Sequence, residues 1–376
     1  LKTDGSGTLS WTAASSGASN VNGLSDALIE DNSLYLGQDP SSTTSTAEYN
    51  LSVGATALDA VTTGDANIAI GHDALSANTT GSGNLAIGYG AYDNADTEGN
   101  NMAIGRDALG GSINGGETNI AIGNYSLDAN TSGDLNIGLG YVALTQNSTG
   151  SSNVGIGNSA MQLNQTGSSN TTLGNNSMKS SLSSSYNTAV GAEALFDANR
   201  TADTDGYNTA LGYNAGNTGT NDITTGNKNT LLGASTAVSA AAGTNQTVIG
   251  FGASGTADNS VTIGNSSVTA WYPGSDDTAD LGSSSVEFKD LYIDGTANLD
   301  AVDIDGGAID GTAIGANSAS TGAFTTITAS TSVDVTGSTG IILENDETIT
   351  NSTNGTVLIN GTVAGGTGSA AGVFTS

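Results

Sequence analysis

The sequence predicts an all-β chain: a β-solenoid in the form of a thin β-roll with coils of about 17 residues, followed by a fibrous β-stalk. Three observations predict it. A glycine returns at Gly37, Gly54, Gly71, Gly88, Gly105, Gly123, Gly140, Gly157, Gly174, Gly191, Gly212, Gly233, Gly250 and Gly264, with steps of 17 or 18 that widen twice to 21 and end at 14. That period is too short for helical-hairpin repeats and suits one solenoid coil. The residue before each of these glycines is aliphatic, and two positions earlier stands an aliphatic residue or a threonine, so both share one strand face. Asparagine opens the motif in 11 of 14 copies.

Taken in order, residues 1–31 are a lead-in. Leu1 to Trp11 reads as strand, glycine turn and strand, with Trp11 an apolar plug between chains, and Asp26 to Leu36 as a link into the roll. The roll spans residues 32–268 in about fourteen coils. Its consensus is plain in Asn67-Ile68-Ala69-Ile70-Gly71, Asn84-Leu85-Ala86-Ile87-Gly88, Asn101-Met102-Ala103-Ile104-Gly105 and Asn119-Ile120-Ala121-Ile122-Gly123. Stacking such coils predicts that Ile70, Ile87, Ile104 and Ile122 form a buried column, with Asn67, Asn84, Asn101 and Asn119 in a ladder of their own. The small residues lie on the opposite strand face, which a coil this thin leaves wet in a single chain, so several parallel chains are expected to associate. The pairs Ala57-Leu58, Ala74-Leu75, Ala108-Leu109 and Ala143-Leu144 read as a second short strand, and stretches such as Asn78-Thr79-Thr80-Gly81-Ser82-Gly83 as turns. The repeating glycine needs either a special backbone conformation or a close neighbour.

Residues 269–294 are a neck. Trp271 and Tyr272 are expected to cap the last coil beside Pro273, which cannot donate to a ladder. Residues 295–376 alternate weakly, and the stretch from Asp310 to Thr326 aligns with the stretch from Asn360 to Ser376 at an offset of 50, with six identical positions of 17. The sequence ends within that second unit, which predicts a piece of a longer fibre.

Composition narrows the chemistry. The 376 residues include 55 Gly, 2 Pro, no Cys and one His, with a formal net charge of −30. Six basic residues speak against nucleic acid as a partner. A nucleophile–histidine site would have to use His72, which reads as a solvated turn residue, and no His/Cys cluster has zinc spacing. The stretch Gly250-Phe251-Gly252-Ala253-Ser254-Gly255 matches a dinucleotide glycine pattern but lies inside the roll period with no helix to follow. Asp300, Asp303, Asp305 and Asp310 are the Ca²⁺ candidates, without EF-hand spacing; like Asp93, Asp96, Glu98, Asp203 and Asp205 they read as solvated positions. No cofactor is expected. A glycan depolymerase with paired carboxylates would need an aromatic-lined groove, and only 5% of residues are aromatic, so no enzyme is expected.

The motif Asn-x-Ala-Ile-Gly followed by x-x-Ala-Leu resembles the head repeats of trimeric autotransporter adhesins, the YadA-like left-handed β-roll, over about 230 of the 376 residues. That resemblance implies a parallel homotrimer. The segment from Pro273 to Ile293, with Leu281-Gly282-Ser283 and Phe288, Leu291 and Tyr292 as its core, resembles a connector of tailed-phage tail fibres, and the first eleven residues resemble segments of phage tail-fibre proteins. Together these resemblances imply a tail fibre of the virion, used in host attachment. Its partners would be its own copies, other virion tail proteins, and a host cell-surface receptor, either a glycan or an outer-membrane component. The other family left open is a bacterial trimeric autotransporter-type adhesin or a similar extracellular filament, which would carry heptad stalks that are not visible here.

Overall fold

The structure is a computed structural model that describes residues 27–37, 43–112, 114–198, 205–272, 281–283 and 285–294, together with the backbone of strands β1 (Lys2–Thr3) and β2 (Leu9–Ser10). The expectations for Trp11, for the 50-residue repeat and for Asp300, Asp303, Asp305 and Asp310 fall outside the described residues. Contacts divide the chain into Leu1–Leu281 and Gly282–Ser376.

Among the described residues every regular element is a strand. After the antiparallel pair β1/β2 come β3 (Ala27–Glu30), β4 (Ser33–Leu36), β5 (Leu51–Val53), β6 (Ile68–Ile70), β7 (Leu85–Ile87), β8 (Met102–Ile104), β9 (Ile120–Ile122) and β10 (Ile137–Leu139). The series continues with β11 (Val154–Ile156), β12 (Thr171–Leu173), β13 (Thr188–Val190), β14 (Thr209–Leu211), β15 (Thr230–Leu232), β16 (Gln246–Ile249) and β17 (Ser260–Ile263). Strands β3 to β17 form one 15-stranded sheet in strict sequence order. From β4 onward every neighbour is parallel and shifted by one coil, so Ile70 pairs with Ile87, Ile87 with Ile104 and Ile104 with Ile122. This is a parallel β-solenoid of about 13 turns, on the order of 60 Å long at about 4.8 Å per step.

The first end is closed differently. Strands β3 and β4 form an antiparallel hairpin around Asp31 and Asn32, both with positive φ (45° and 60°), the geometry of a tight two-residue turn. The link expected before the roll is therefore a hairpin that covers the edge of the first coil.

The inside of each coil reverses the assignment made from hydrophobicity. In strands such as β7, β8 and β9 the central residue is buried and the two aliphatic residues flanking it are half-buried. Ala69, Ala86, Ala103 and Ala121 are fully buried, whereas Ile70, Ile87, Ile104 and Ile122 stack on the outward face. The reason is size. The inward position faces the fully buried Leu58, Leu75, Leu109, Leu127 and Leu144, which project from the opposite wall and fill the coil. Gly138 lies against Ser126 and Leu127, and Gly155 against Leu144, so a larger inward side chain has no room there. Where the opposite wall shrinks to Gly216, the strand carries Leu231 inward and Ile223 joins it.

The second segment is a turn rather than a strand. Leu58, Leu75, Leu109, Leu127 and Leu144 have φ between 52° and 56°, the left-handed region, which a strand cannot contain. Its N–H groups still bond from coil to coil, as Leu75 N–H to Ala91 O at 3.1 Å and Leu127 N–H to Ala143 O at 3.0 Å. The repeating glycine needs both properties named above. Gly123 has φ of 129°, and a Cβ there would sit 2.3 Å from the carbonyl oxygen of Gly140 in the next coil.

Candidate functional surface

Two features place side chains for use along the roll: a buried asparagine ladder that fixes the pitch, and an outward sheet face that the ladder holds flat. The ladder is built from asparagine because its short amide can satisfy backbone above and below at once. Asn67, Asn84, Asn101 and Asn119 are all buried. Each backbone N–H donates to the Oδ1 of the asparagine one coil before, at 2.8–2.9 Å. Each Nδ2 donates onward to a turn carbonyl, Gly81 from Asn67 and Gly133 from Asn119, both at 2.9 Å. Ser33 starts the series by accepting from Asn50 N–H (2.9 Å), and Gln246 ends it by donating its N–H to Asn229 Oδ1 (3.0 Å).

A second buried column consists of Asn78, Asn130, Asn147 and Asn164, each bonding to the glycine carbonyl three residues on. Sequence reasoning missed it by reading these stretches as turns; its signal is the recurring Asn-x-x-Gly at Asn78-Gly81, Asn130-Gly133, Asn147-Gly150 and Asn164-Gly167. Where the column breaks, at Ala95 and Ser181, the Oδ1 atoms of Asn78 and Asn164 are left without a partner, as is Ser181 Oγ.

The outward face carries two side chains per strand. From β4 to β11 both are aliphatic: Leu34 and Leu36 in the first coil, Leu85 and Ile87 in the fourth, Val154 and Ile156 in the eighth. From β12 to β16 the first becomes Thr171, Thr188, Thr209, Thr230 and Thr247, while the second stays aliphatic. These positions remain open to solvent in the single chain, with Ile68 at 37% exposure, Leu139 at 39% and Leu211 at 46%.

Polar and aromatic rows border this face. After the repeating glycine, His72, Tyr89, Arg106, Asn124 and Tyr141 follow one another on the surface. His72 stacks on Tyr89 at 5.4 Å, and Arg106 reaches over Tyr89 and Tyr125 at 5.7 and 5.9 Å. His72 pairs with Asp73 (2.7 Å) and Arg106 with Asp107 (3.3 Å), so neither side chain is without a partner.

Five half-buried carboxylates, Asp59, Asp73, Asp93, Asp107 and Asp128, occupy five consecutive coils, alternating between the fifth and the second residue after the glycine. Burial first, and then Asp107, Asp73 and Asp128, push the Asp93 carboxyl up to about 6. Burial, with Asp73 adding, raises Asp59, and burial with Asp107 raises Asp128. Asp96 accepts from the Thr79 hydroxyl. Glu98 is buried, not solvated as its type and turn position indicated: it accepts from the N–H groups of Thr97 (3.1 Å) and Gly115 (2.8 Å) and pins the coil that holds one extra residue. Asp205 accepts from the Tyr207 hydroxyl at 2.8 Å. Among the described residues no group of three His, Cys, Asp or Glu side chains is arranged to hold a metal ion, and no helix is long and apolar enough to cross a membrane.

Trp271 and Tyr272 do not cap the last coil of the single chain; they are 78% and 83% exposed. Val268 packs over Gly264 instead, because the chain turns back at Asn265, whose carbonyl accepts from Val268 N–H at 3.0 Å. In the second unit Ser283 and Val286 form a small bridge, and the apolar residues Phe288, Leu291 and Tyr292 are exposed in the single chain. The chain matches no protein-family model and no curated protein.

Proposed function

We propose that this chain is a structural fibre, the shaft and adhesive part of a phage tail fibre that holds a receptor-binding end away from the virion. The observation that carries the proposal is the uniform stack of parallel coils, locked at one pitch by a buried amide ladder, which makes a stiff spacer. The roll motif alone fits a cellular adhesin equally well; the connector motif at Leu281-Gly282-Ser283 and Phe288 to Tyr292 favours the fibre. In this reading the roll is left-handed and the working form is a parallel homotrimer in the virion. Three linked ends raise avidity for a repeated glycan or outer-membrane receptor on the host surface.

The exposed apolar residues after the roll, Trp271 and Tyr272 in the first unit and Phe288, Leu291 and Tyr292 in the second, support association, since a lone chain leaves them in water. Light scattering on the 376-residue chain tests this: the expected mass is three times 36.8 kDa. Trp271→Ala run alongside should weaken the trimer, seen as dissociation at a lower denaturant concentration. A folded monomer at micromolar concentration rejects the trimeric fibre.

A further inference from the structure

We infer that Asn114-Gly115 is a self-modifying site, at which the folded chain converts its own asparagine to aspartate or isoaspartate through a cyclic imide, with the Glu98 carboxylate taking the proton of the attacking nitrogen. The inference stands apart from the fibre reading and does not rest on it.

The asparagines of the two buried columns are shielded from this reaction. Ring closure needs an unengaged side-chain amide, little bulk on the next residue, and an acceptor for the proton on that residue's nitrogen. Asn119 fails each requirement. Its Oδ1 accepts from Asn136 N–H and its Nδ2 donates to Gly133 O, both at 2.9 Å. The next residue, Ile120, is β-branched, and its N–H donates to Asn136 O at 2.8 Å, a carbonyl that holds a hydrogen bond but takes up no proton. In the second column Asn147 uses both amide atoms, with Gly150 O and Asn164 Nδ2, and Ser148 N–H is bonded to Gln165 O at 3.0 Å.

Asn114 differs at every point. It lies in the coil from Gly105 to Gly123, lengthened by one residue and carrying Gly110, Gly111, Gly115 and Gly116. Asn114 and Gly115 are both exposed. The Asn114 backbone N–H donates to Thr131 O at 2.6 Å, while among the described residues its side-chain amide makes no hydrogen bond. Gly115 has φ of 104°, and a Cβ there would meet nothing within 4 Å, so no side chain blocks its nitrogen. Its N–H donates to Glu98 Oε1 at 2.8 Å, a carboxylate in place of the usual carbonyl. Glu98 is buried and held in place by the N–H groups of Asp96 (3.3 Å) and Thr97 (3.1 Å) on Oε2 and by the Thr97 hydroxyl on Oε1 (3.3 Å). A base is therefore fixed on the nitrogen that must lose its proton. The other Asn-Gly pairs, Asn22-Gly23, Asn354-Gly355 and Asn360-Gly361, fall outside the described residues.

The Gly115 nitrogen bonds to Cγ of Asn114 and gives its proton to Glu98. The bond from Cγ to Nδ2 breaks, and Nδ2 leaves as ammonia with that proton. Water then opens the imide. Attack at Cγ gives aspartate, and attack at the backbone carbonyl gives isoaspartate, which routes the chain through the side chain. Either product adds one negative charge beside Glu98, and neither needs an oxidant or a cofactor.

The test incubates the full chain at neutral pH, folded and in urea, and follows each asparagine by peptide mass and by enzymatic methylation of isoaspartate. In the folded chain Asn114 is expected to convert at least about tenfold faster than Asn119 or Asn147, which must wait for their coils to open. Glu98→Gln keeps a hydrogen-bond acceptor but not the base. With β structure retained by circular dichroism, it should slow the folded reaction on the order of tenfold to a hundredfold and leave the rate in urea unchanged. Asn114→Gln, which cannot close the same ring, should release no ammonia from this site on the same timescale. An Asn114 that stays intact in the folded chain while the urea sample converts overturns the site. A folded Glu98→Gln chain that converts as fast as the parent, or faster, overturns the part given to Glu98.

Discussion

The coils up to Ile156 and those from Thr171 onward share one backbone but differ in what they show to the outside. Register, glycine column and asparagine ladder run unbroken through both. The first region presents paired aliphatic columns outward, holds Ala69, Ala86, Ala103, Ala121, Gly138 and Gly155 inward, and carries the alternating carboxylates. The second presents threonine, admits Leu231 and Val248 to the interior, and accommodates the two coils of 21 residues. It also ties its ladder more tightly, since Asn170, Asn187, Asn208 and Asn229 each donate Nδ2 to the preceding Oδ1 at 3.1–3.2 Å. The difference teaches that the pitch is set by glycine and asparagine, while the outward columns are free to change and so carry whatever the surface is for.

The largest expected effect falls on what the regions share. Gly123→Ala and Gly212→Ala place a methyl group on the backbone of the next coil, at 2.3–2.6 Å from Gly140 or Gly233 carbonyl atoms, at φ of 129° and 143°. Each should cost about 4 kcal/mol or more. Urea unfolding followed by circular dichroism should show equal damage in both regions; a mild effect in either would mean that the coil spacing there can open.

Next come the ladders. Asn119→Ala leaves the buried N–H of Asn136 without its acceptor, at a cost of about 2–3 kcal/mol. Asn208→Ala removes the acceptor of both the N–H and the Nδ2 of Asn229, and should cost at least as much. If Asn208→Ala proves the milder of the two, the extra amide bonds of the second region add nothing.

A smaller effect separates the regions by pH. The Asp93 carboxyl is raised to about 6 from 3.8, chiefly by burial. A group raised in the folded state contributes stability that is present below about pH 3.8 and lost as pH rises through about 6. Asp73 and Asp107 face it with their own partners His72 and Arg106, and Asp128 adds like charge. Between pH 7.5 and 5 the chain should therefore gain stability, and Asp93→Asn should remove about 1 kcal/mol of that gain after allowance for screening by solvent. Equal urea midpoints for the parent and Asp93→Asn at both pH values would remove the carboxylate row from the account.

The period, the strands and the coil boundaries were legible because a solenoid repeats its constraints, so glycine and asparagine columns stand out against variable turns. The face that points inward was not legible. A strand period of two separates Ile87 from Ala86 but does not say which is inside; that depends on the width of the coil, set by Leu75 and its equivalents across from the strand. The left-handed φ at Leu75 (53°) was hidden as well, because a leucine gives no hint of a conformation that glycine normally marks. For the same reason the pair Ala74-Leu75 read as a strand. The outward face could be located only once the inward one was known.

The smallest effect lies at the border between the regions, in the second asparagine column. Asn147 Nδ2 donates to Asn130 Oδ1 at 3.1 Å and Asn164 Nδ2 to Asn147 Oδ1 at 2.6 Å, and then Ser181 interrupts the series. Its hydroxyl is too short to reach up one coil, so Ser181 Oγ and Asn164 Oδ1 are both buried without partners. Ser181→Asn would supply an Nδ2 at the height where Asn164 Oδ1 waits, and that Nδ2 could also donate to Ser184 O, three residues on, as Asn164 does to Gly167. Satisfying the orphaned acceptor should stabilise the chain by about 0.5–1 kcal/mol, less than a full desolvation penalty because the larger side chain must fit beneath Ala198. The measurement is the urea midpoint of Ser181→Asn against Ser181→Ala, which removes one orphan without answering the other. Stabilisation by asparagine but not by alanine shows that the column is interrupted rather than finished at Asn164. A loss of stability with asparagine would mean that the coil narrows after Asn164, and that the border between the regions is set by the width of the interior.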